Sequence, residues 1–161
     1  MNKSTKYSKV LFILHMPPPV HGASMVGKYI HDSKIINNAF ECHYLNLALA
    51  KDLDDIGKGG IRKLKEFYKQ LKQIRKQTKL IVPQLCYVTP NAKGGAFYKD
   101  FFVVMLLKMM RQNIVVHYHN KGIATRQNRY FDNLLYSTFF KNLKVILLIE
   151  PTGRLRFLLS G

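Results

Sequence analysis

Three short stretches gather the residue types that chemistry needs: Pro17-Pro-Pro-Val-His-Gly-Ala23, Thr89-Pro-Asn-Ala-Lys-Gly-Gly95 and His117-Tyr-His-Asn-Lys-Gly122. In the first, Gly22 stands where a helix is expected to start. Backbone N–H groups can approach a ligand there, and the helix dipole favours an anion such as phosphate. The same prolines and glycine would equally serve as a rigid turn. Neither Gly-x-Gly-x-x-Gly nor Gly-x-x-x-x-Gly-Lys-Ser/Thr occurs in it, which argues against a dinucleotide fold or a P-loop NTPase. In the third stretch, strand alternation sets His117 and His119 on one side and Tyr118 on the other. Imidazole titrates near neutral pH and both donates and accepts, so the end of this strand suits hydrogen bonding or acid–base work. A core position is the competing reading for His117. A metal pair would need further ligands, and no His-Glu-x-x-His or nearby carboxylate supplies them, so no metal is expected.

These loops need elements to hold them. An apolar run over 10–15, ending at proline, reads as a strand buried on both faces. Helical spacing of Met25, Val26, Tyr29, Ile30 and Ser33 or Ile36 predicts a helix from Ala23 to about Ile36, with Ser24 near its N-cap. Further strands are expected over 42–47, 84–89, 114–119 and 144–149, and further helices over 61–79, 97–110 and 126–140. Asp52, Asp54, Asp55, Gly57, Gly59 and Gly60 mark the connection before the helix at 61–79. Strands alternate with helices, which implies a doubly wound parallel α/β sheet. Ligands bind such a sheet outside the carboxyl ends of its strands, where all three loops fall.

Composition narrows the class. The chain has 161 residues, the size of one domain, and 47% of them are hydrophobic. Its 26 Lys and Arg against 9 Asp and Glu give a net charge of +17, so an anionic partner is expected. Nucleic acid, an acidic membrane and a phosphorylated small molecule all fit the charge. No helix-turn-helix, zinc-finger or RNP-like pattern is present, so no specific nucleic-acid partner is expected. Over 61–79 an apolar stripe of Ile61, Leu64, Phe67, Tyr68, Leu71 and Ile74 lies against Arg62, Lys63, Lys65, Lys69, Lys72, Arg75 and Lys76. This basic amphipathic helix is either a solvated cover for the core or a docking face for anionic lipid. Cys42 and Cys86 show no ligand or disulfide spacing and are expected to be buried free thiols. No secretion signal is evident, and no run reaches the roughly 20 apolar residues that span a bilayer. A cytoplasmic protein is expected, peripheral at the inner membrane face if the basic helix docks.

Taken in order, Lys9-Val-Leu-Phe-Ile-Leu-His-Met-Pro-Pro-Pro-Val-His-Gly-Ala23, Thr89-Pro-Asn-Ala-Lys-Gly-Gly-Ala-Phe-Tyr-Lys-Asp100 and Ile114-Val-Val-His-Tyr-His-Asn-Lys-Gly122 resemble the N-terminal domain of family-4 glycosyltransferases of the GT-B fold. The resemblance covers residues 9–148 and implies a Rossmann-like acceptor-side domain over 1–148, the N-terminal half of a GT-B fold. It further implies retaining transfer of a sugar from a nucleotide-sugar donor to a glycan or lipid-linked acceptor, with no cofactor and no metal. On this likeness His119 sits near the reacting sugar as the catalytic candidate, in a positioning or hydrogen-bonding role. Gly22 and Ala23 lie near the donor diphosphate. His21, Asn91, Lys93, Gly94, Asn120 and Lys121 share the loops as substrate contacts, with Lys93 and Lys121 the anion contacts.

The chain departs from the family after Leu148. Residues 149–161 form an atypical tail, and Glu41, Glu66 and Glu150 do not make the closely spaced glutamate pair of the family's nucleotide-binding domain. A truncated form, inactive alone, is therefore expected. The rival reading is a basic, non-enzymatic module that binds anionic membrane or nucleic acid.

Overall fold

The structure, a computed structural model, describes residues 8–18, 20–47, 60–91, 94–118, 137–141 and 143–147. Five strands form one sheet: β1 (Lys9–Leu14), β2 (Glu41–Asn46), β3 (Leu85–Val88), β4 (Ile114–Tyr118) and β5 (Lys144–Leu147), in the order β2-β1-β3-β4-β5. Every neighbouring pair is parallel. The helices are α1 (Gly22–Asp32), α2 (Lys34–Ala39), α3 (Gly60–Ile81) and α4 (Gly94–Met109). A parallel sheet must bury both faces, and the all-apolar run of β1 fits its central place. Val10 through Leu14 are all buried.

Alternation along β1 divides the core in two. Leu11 and Ile13 pack with Cys86, Val88, Ile114 and Val116 beneath α3 and α4, through Ile74, Phe97, Val103, Val104 and Leu107. Val10, Phe12 and Leu14 face the other way, against Ile30 and Ile36 of α1 and α2. The sheet is thus covered by helices on both sides, a doubly wound, Rossmann-like α/β arrangement.

The first helix expected over 23–36 is two helices, and Ser33 is the reason. Its backbone is extended (φ −69°, ψ 111°), its N–H donates to Ile30 O at 3.3 Å, and its Oγ accepts from Ile36 N at 3.4 Å. One residue ends α1 and caps α2, as serine outside a helix interior is suited to do. Ser24 is not the N-cap either. His21 holds that place, and Ser24 lies three residues on in a reciprocal box: His21 Nδ1 accepts from Ser24 N at 3.2 Å while Ser24 Oγ accepts from His21 N at 2.9 Å.

α3 and α4 each extend beyond the expected limits, to Gly60 and Ile81 and back to Gly94. In α3 the packed stripe is Phe67, Leu71 and Ile74, with buried Gln70 and Thr78 beside it, whereas Leu64 and Tyr68 stay in solvent. Cys86 is a buried free thiol and Cys42 is only half-buried. Of the helix expected over 126–140, a helical turn is described at 137–140; 126–136, His119 at the end of β4 and 148–161 lie outside the described residues. Among the described residues, no helix is long and apolar enough to cross a membrane.

Candidate functional site

β1 sends one connection outward to β2 and has β3 as its other neighbour, so the chain reverses its lateral direction between β1 and β3. Loops leaving the carboxyl ends of two such strands diverge and open a crevice between them, the usual ligand position in sheets of this kind. The loop after β1 and the loop after β3 are therefore the walls of the candidate site.

Three side chains from far apart in sequence meet there. His15, one residue past β1, is buried, and so is Asp100 on the inward side of α4. Asn91, between β3 and α4, donates to Asp100 Oδ2 from both its backbone N–H and its Nδ2, each at 2.8 Å. Asn91 Nδ2 also lies 2.9 Å from His15 Nε2, which lies 3.3 Å from the same carboxylate oxygen. Asn91 Nδ2 has two hydrogens, and His15 Nε2 can meet it as an acceptor or meet Asp100 as a donor according to the tautomer. The His15 backbone N–H donates to the hydroxyl of buried Thr89 at 3.4 Å. The knot thus ties both walls and the first turns of α4 together. Asp100 Oδ1 is buried without a hydrogen-bond partner among the described residues, so the carboxylate is hydrogen-bonded through Oδ2 alone there.

α1 completes the wall after β1. A Cβ at Gly27 would stand 2.0 Å from His15 O, so the helix rests its backbone on the backbone of this loop. The peptide between Pro17 and Pro18 is cis. At the helix start the N–H groups of Gly22 and Ala23 have no acceptor within the helix, and that of Ser24 is taken by His21. A Cβ at Gly22 would meet nothing within 4 Å. The His21 ring lies 6.3 Å from that of His15. A third strand end joins the same edge: Asn46 Oδ1 accepts from Met16 N at 3.1 Å, and Lys99 Nζ donates to Leu47 O at 3.2 Å. Burial pushes the Lys99 ammonium below its usual range, partly offset by neighbouring Asp100.

Of the residues singled out from sequence, His21, Gly22, Ala23 and Asn91 lie at this edge. Gly94 is the first residue of α4. His119, Lys93, Asn120 and Lys121 lie outside the described residues. His21 is used as a helix cap, which commits Nδ1 to the fold. Asn91 is a holder of Asp100 as much as a ligand contact. His117 is half-buried on the α1 side of the sheet, hydrogen-bonded to the Tyr87 hydroxyl through Nδ1. Burial lowers the His117 pKa and pushes that of Tyr87 up to about 12. The core reading of His117 therefore applies to its local setting. Among the described residues no three His, Cys, Asp or Glu side chains gather as metal ligands would.

His15, Thr89, Lys99 and Asp100 were not singled out as site residues. Asp100 had a readable signal. It occupies a core position of an apolar stripe, three residues after Phe97 and three and four before Val103 and Val104, where an acid needs a partner. His15 gave less, since a histidine ending an apolar run also reads as the last residue of a strand. Comparison of the chain with protein-family models, with curated proteins and with solved structures finds no match, so its functional reading is carried by its own residues and geometry.

Proposed function

We propose that this chain is the acceptor-side, N-terminal domain of a GT-B-type glycosyltransferase, which helps to transfer a sugar from a nucleotide-sugar donor to a glycan or lipid-linked acceptor. One juxtaposition supports the reading above all. Two of the three loops that resemble the family meet at the β1/β3 switch point, and there the start of α1 leaves the Gly22 and Ala23 N–H groups without an acceptor within the helix. Donors at a helix start suit a diphosphate. Asn91 and His21 are the polar side chains nearest to hand for hydroxyl groups. His119, at the end of β4 in the sequence, is the residue this reading places beside the reacting sugar. By the same reading these 161 residues do not turn over a nucleotide sugar unaided, because they hold no closely spaced glutamate pair.

The test is a titration of the whole chain, labelled with nitrogen-15, against nucleoside diphosphate sugars and oligosaccharides. Binding at the proposed place shifts the Gly22, Ala23 and Asn91 amides first. Gly22→Pro is the matched variant: proline fits the first position of a helix, and the extended His21 before it (φ −154°, ψ 168°) tolerates it. It removes one N–H and weakens a diphosphate ligand about tenfold or more. A panel that shifts only amides remote from these loops would overturn the reading.

A further inference from the structure

α3 and α4 lie side by side on one face of the sheet, with the rings of Phe67 and Phe102 6.2 Å apart. Their outward faces differ in kind. α3 presents Lys65, Lys69, Lys72, Arg75, Lys76 and Lys79, all exposed, and its one acid, Glu66, is paired with Lys69 at 2.7 Å. α4 carries apolar residues on both its inner and its outer side. Phe97, Val103, Val104 and Leu107 are buried, while Tyr98, Phe102, Met105 and Met109 recur at four, seven and eleven residues along the opposite side. Phe102 is 55% and Met109 73% exposed. A helix on a water-covered surface carries polar groups at such positions.

The charges that α4 does possess are drawn away from this stripe. Lys99 reaches to the carbonyl of Leu47, Asp100 points into the core, and Lys108 donates to the carbonyls of Thr138, Phe139 and Lys141 at 2.7–2.8 Å. Exposed Leu64 and Tyr68 of α3 extend the apolar character beside the cations.

We propose that the outward faces of α3 and α4 together form a docking surface for an anionic lipid bilayer, with α4 supplying the side chains that enter the acyl boundary and α3 the cations that meet the headgroups. Each half of the surface excludes a rival occupant. A nucleic acid would satisfy the α3 cations but offers nothing to an outward row of Phe and Met. A second copy seated on the α4 row carries the same net charge of +17 and offers the α3 cations no anionic surface. An anionic bilayer meets both needs, since acyl chains take the apolar row and headgroups the lysines. The docking surface does not depend on the sugar-transfer reading, which can fail or stand separately.

The chain contains no tryptophan, so a single introduced one reports without background. In the full chain, Phe102→Trp emission moves to the blue on phosphatidylcholine vesicles containing phosphatidylglycerol and is quenched by bromine-labelled acyl chains. On phosphatidylcholine alone it stays unchanged, and high salt reverses the shift. Ile35→Trp, exposed on α2 across the sheet, does not respond. Adding Lys65→Glu, Lys72→Glu and Lys76→Glu to Phe102→Trp lowers vesicle partitioning about a hundredfold or more, with unchanged circular dichroism because all three side chains are exposed. Equal emission with and without anionic vesicles overturns the proposal, as does binding that survives the charge reversal. A blue shift of the Phe102→Trp emission in a lipid-free particle of doubled mass would assign the face to a second copy instead.

Discussion

His15 and His117 show two ways of holding an imidazole in one sheet. His15 lies past the end of β1, bound into a knot whose other members are 74 or more residues away in sequence: Thr89, Asn91 and Asp100. His117 lies within β4, and its partner Tyr87 is the diagonal neighbour across the β3–β4 ladder, where Tyr87 aligns with Val115. The first geometry requires two loops and a helix to be in place at once. The bond between His117 and Tyr87 follows from strand register. A ligand site gains most from the first kind, because a group fixed from several directions loses little freedom when it binds.

The sharpest way to break this contrast is Gly27→Ala. The new methyl would stand 2.0 Å from a backbone oxygen, so α1 must lift off the loop that carries His15. A loss of about 3 kcal/mol or more in urea-denaturation stability is expected. Next is Asp100→Ala, which strands the two donors of Asn91 in a buried place and costs about 2 kcal/mol. Asp100→Asn keeps an acceptor for them and costs less than half as much. Equal losses for the two substitutions would mean that the carboxylate does not organise the loops.

On the His117 side, Tyr87→Phe removes a single hydroxyl from a half-buried pair, with an expected loss of about 1 kcal/mol. The same pair gives a pH signature. Burial lowers the folded-state pKa of His117 below the 6.5 of the free group, so the unfolded chain takes up the proton first. Stability from this group is full above pH 6.5, falls as the pH drops through the window down to the folded value, and levels off below it. Urea midpoints measured across that range are flatter for His117→Phe. The smallest effect belongs to Gly22→Pro, whose stability stays within about 1 kcal/mol of the parent because the added atoms enter open space and the position suits proline.

What could be read from the chain alone followed the range of the interactions. The apolar runs of β1, β3 and β4 and the periodicity of α3 are local patterns, and they foretell the parallel sheet. The break at Ser33 was hidden because the helical spacing of apolar residues continues across it to Ile36; only the backbone of Ser33 and its bond to the Ile36 amide reveal it. At the site, Gly22, Ala23, His21 and Asn91 were visible as loop residues, but the union of His15 with Asp100 depends on which strands become neighbours. That choice is made by tertiary packing. The outward row of Phe102, Met105 and Met109 was likewise hidden. An apolar helix gives no sign of which of its apolar faces will be left outside.

The place of β1 carries one more consequence. β2 is joined to the rest of the sheet through β1, its one neighbour in the strand order, and Lys9 must meet Gln84 before the sheet is whole. Of the three strands β1, β2 and β3, β1 is made before the others, and its pairing is completed only after β3 has emerged. Closing a loop of that length costs chain entropy before the pairing returns any stability. Until then the apolar run of β1 has one parallel partner and an open edge, the kind of edge on which another chain can pair.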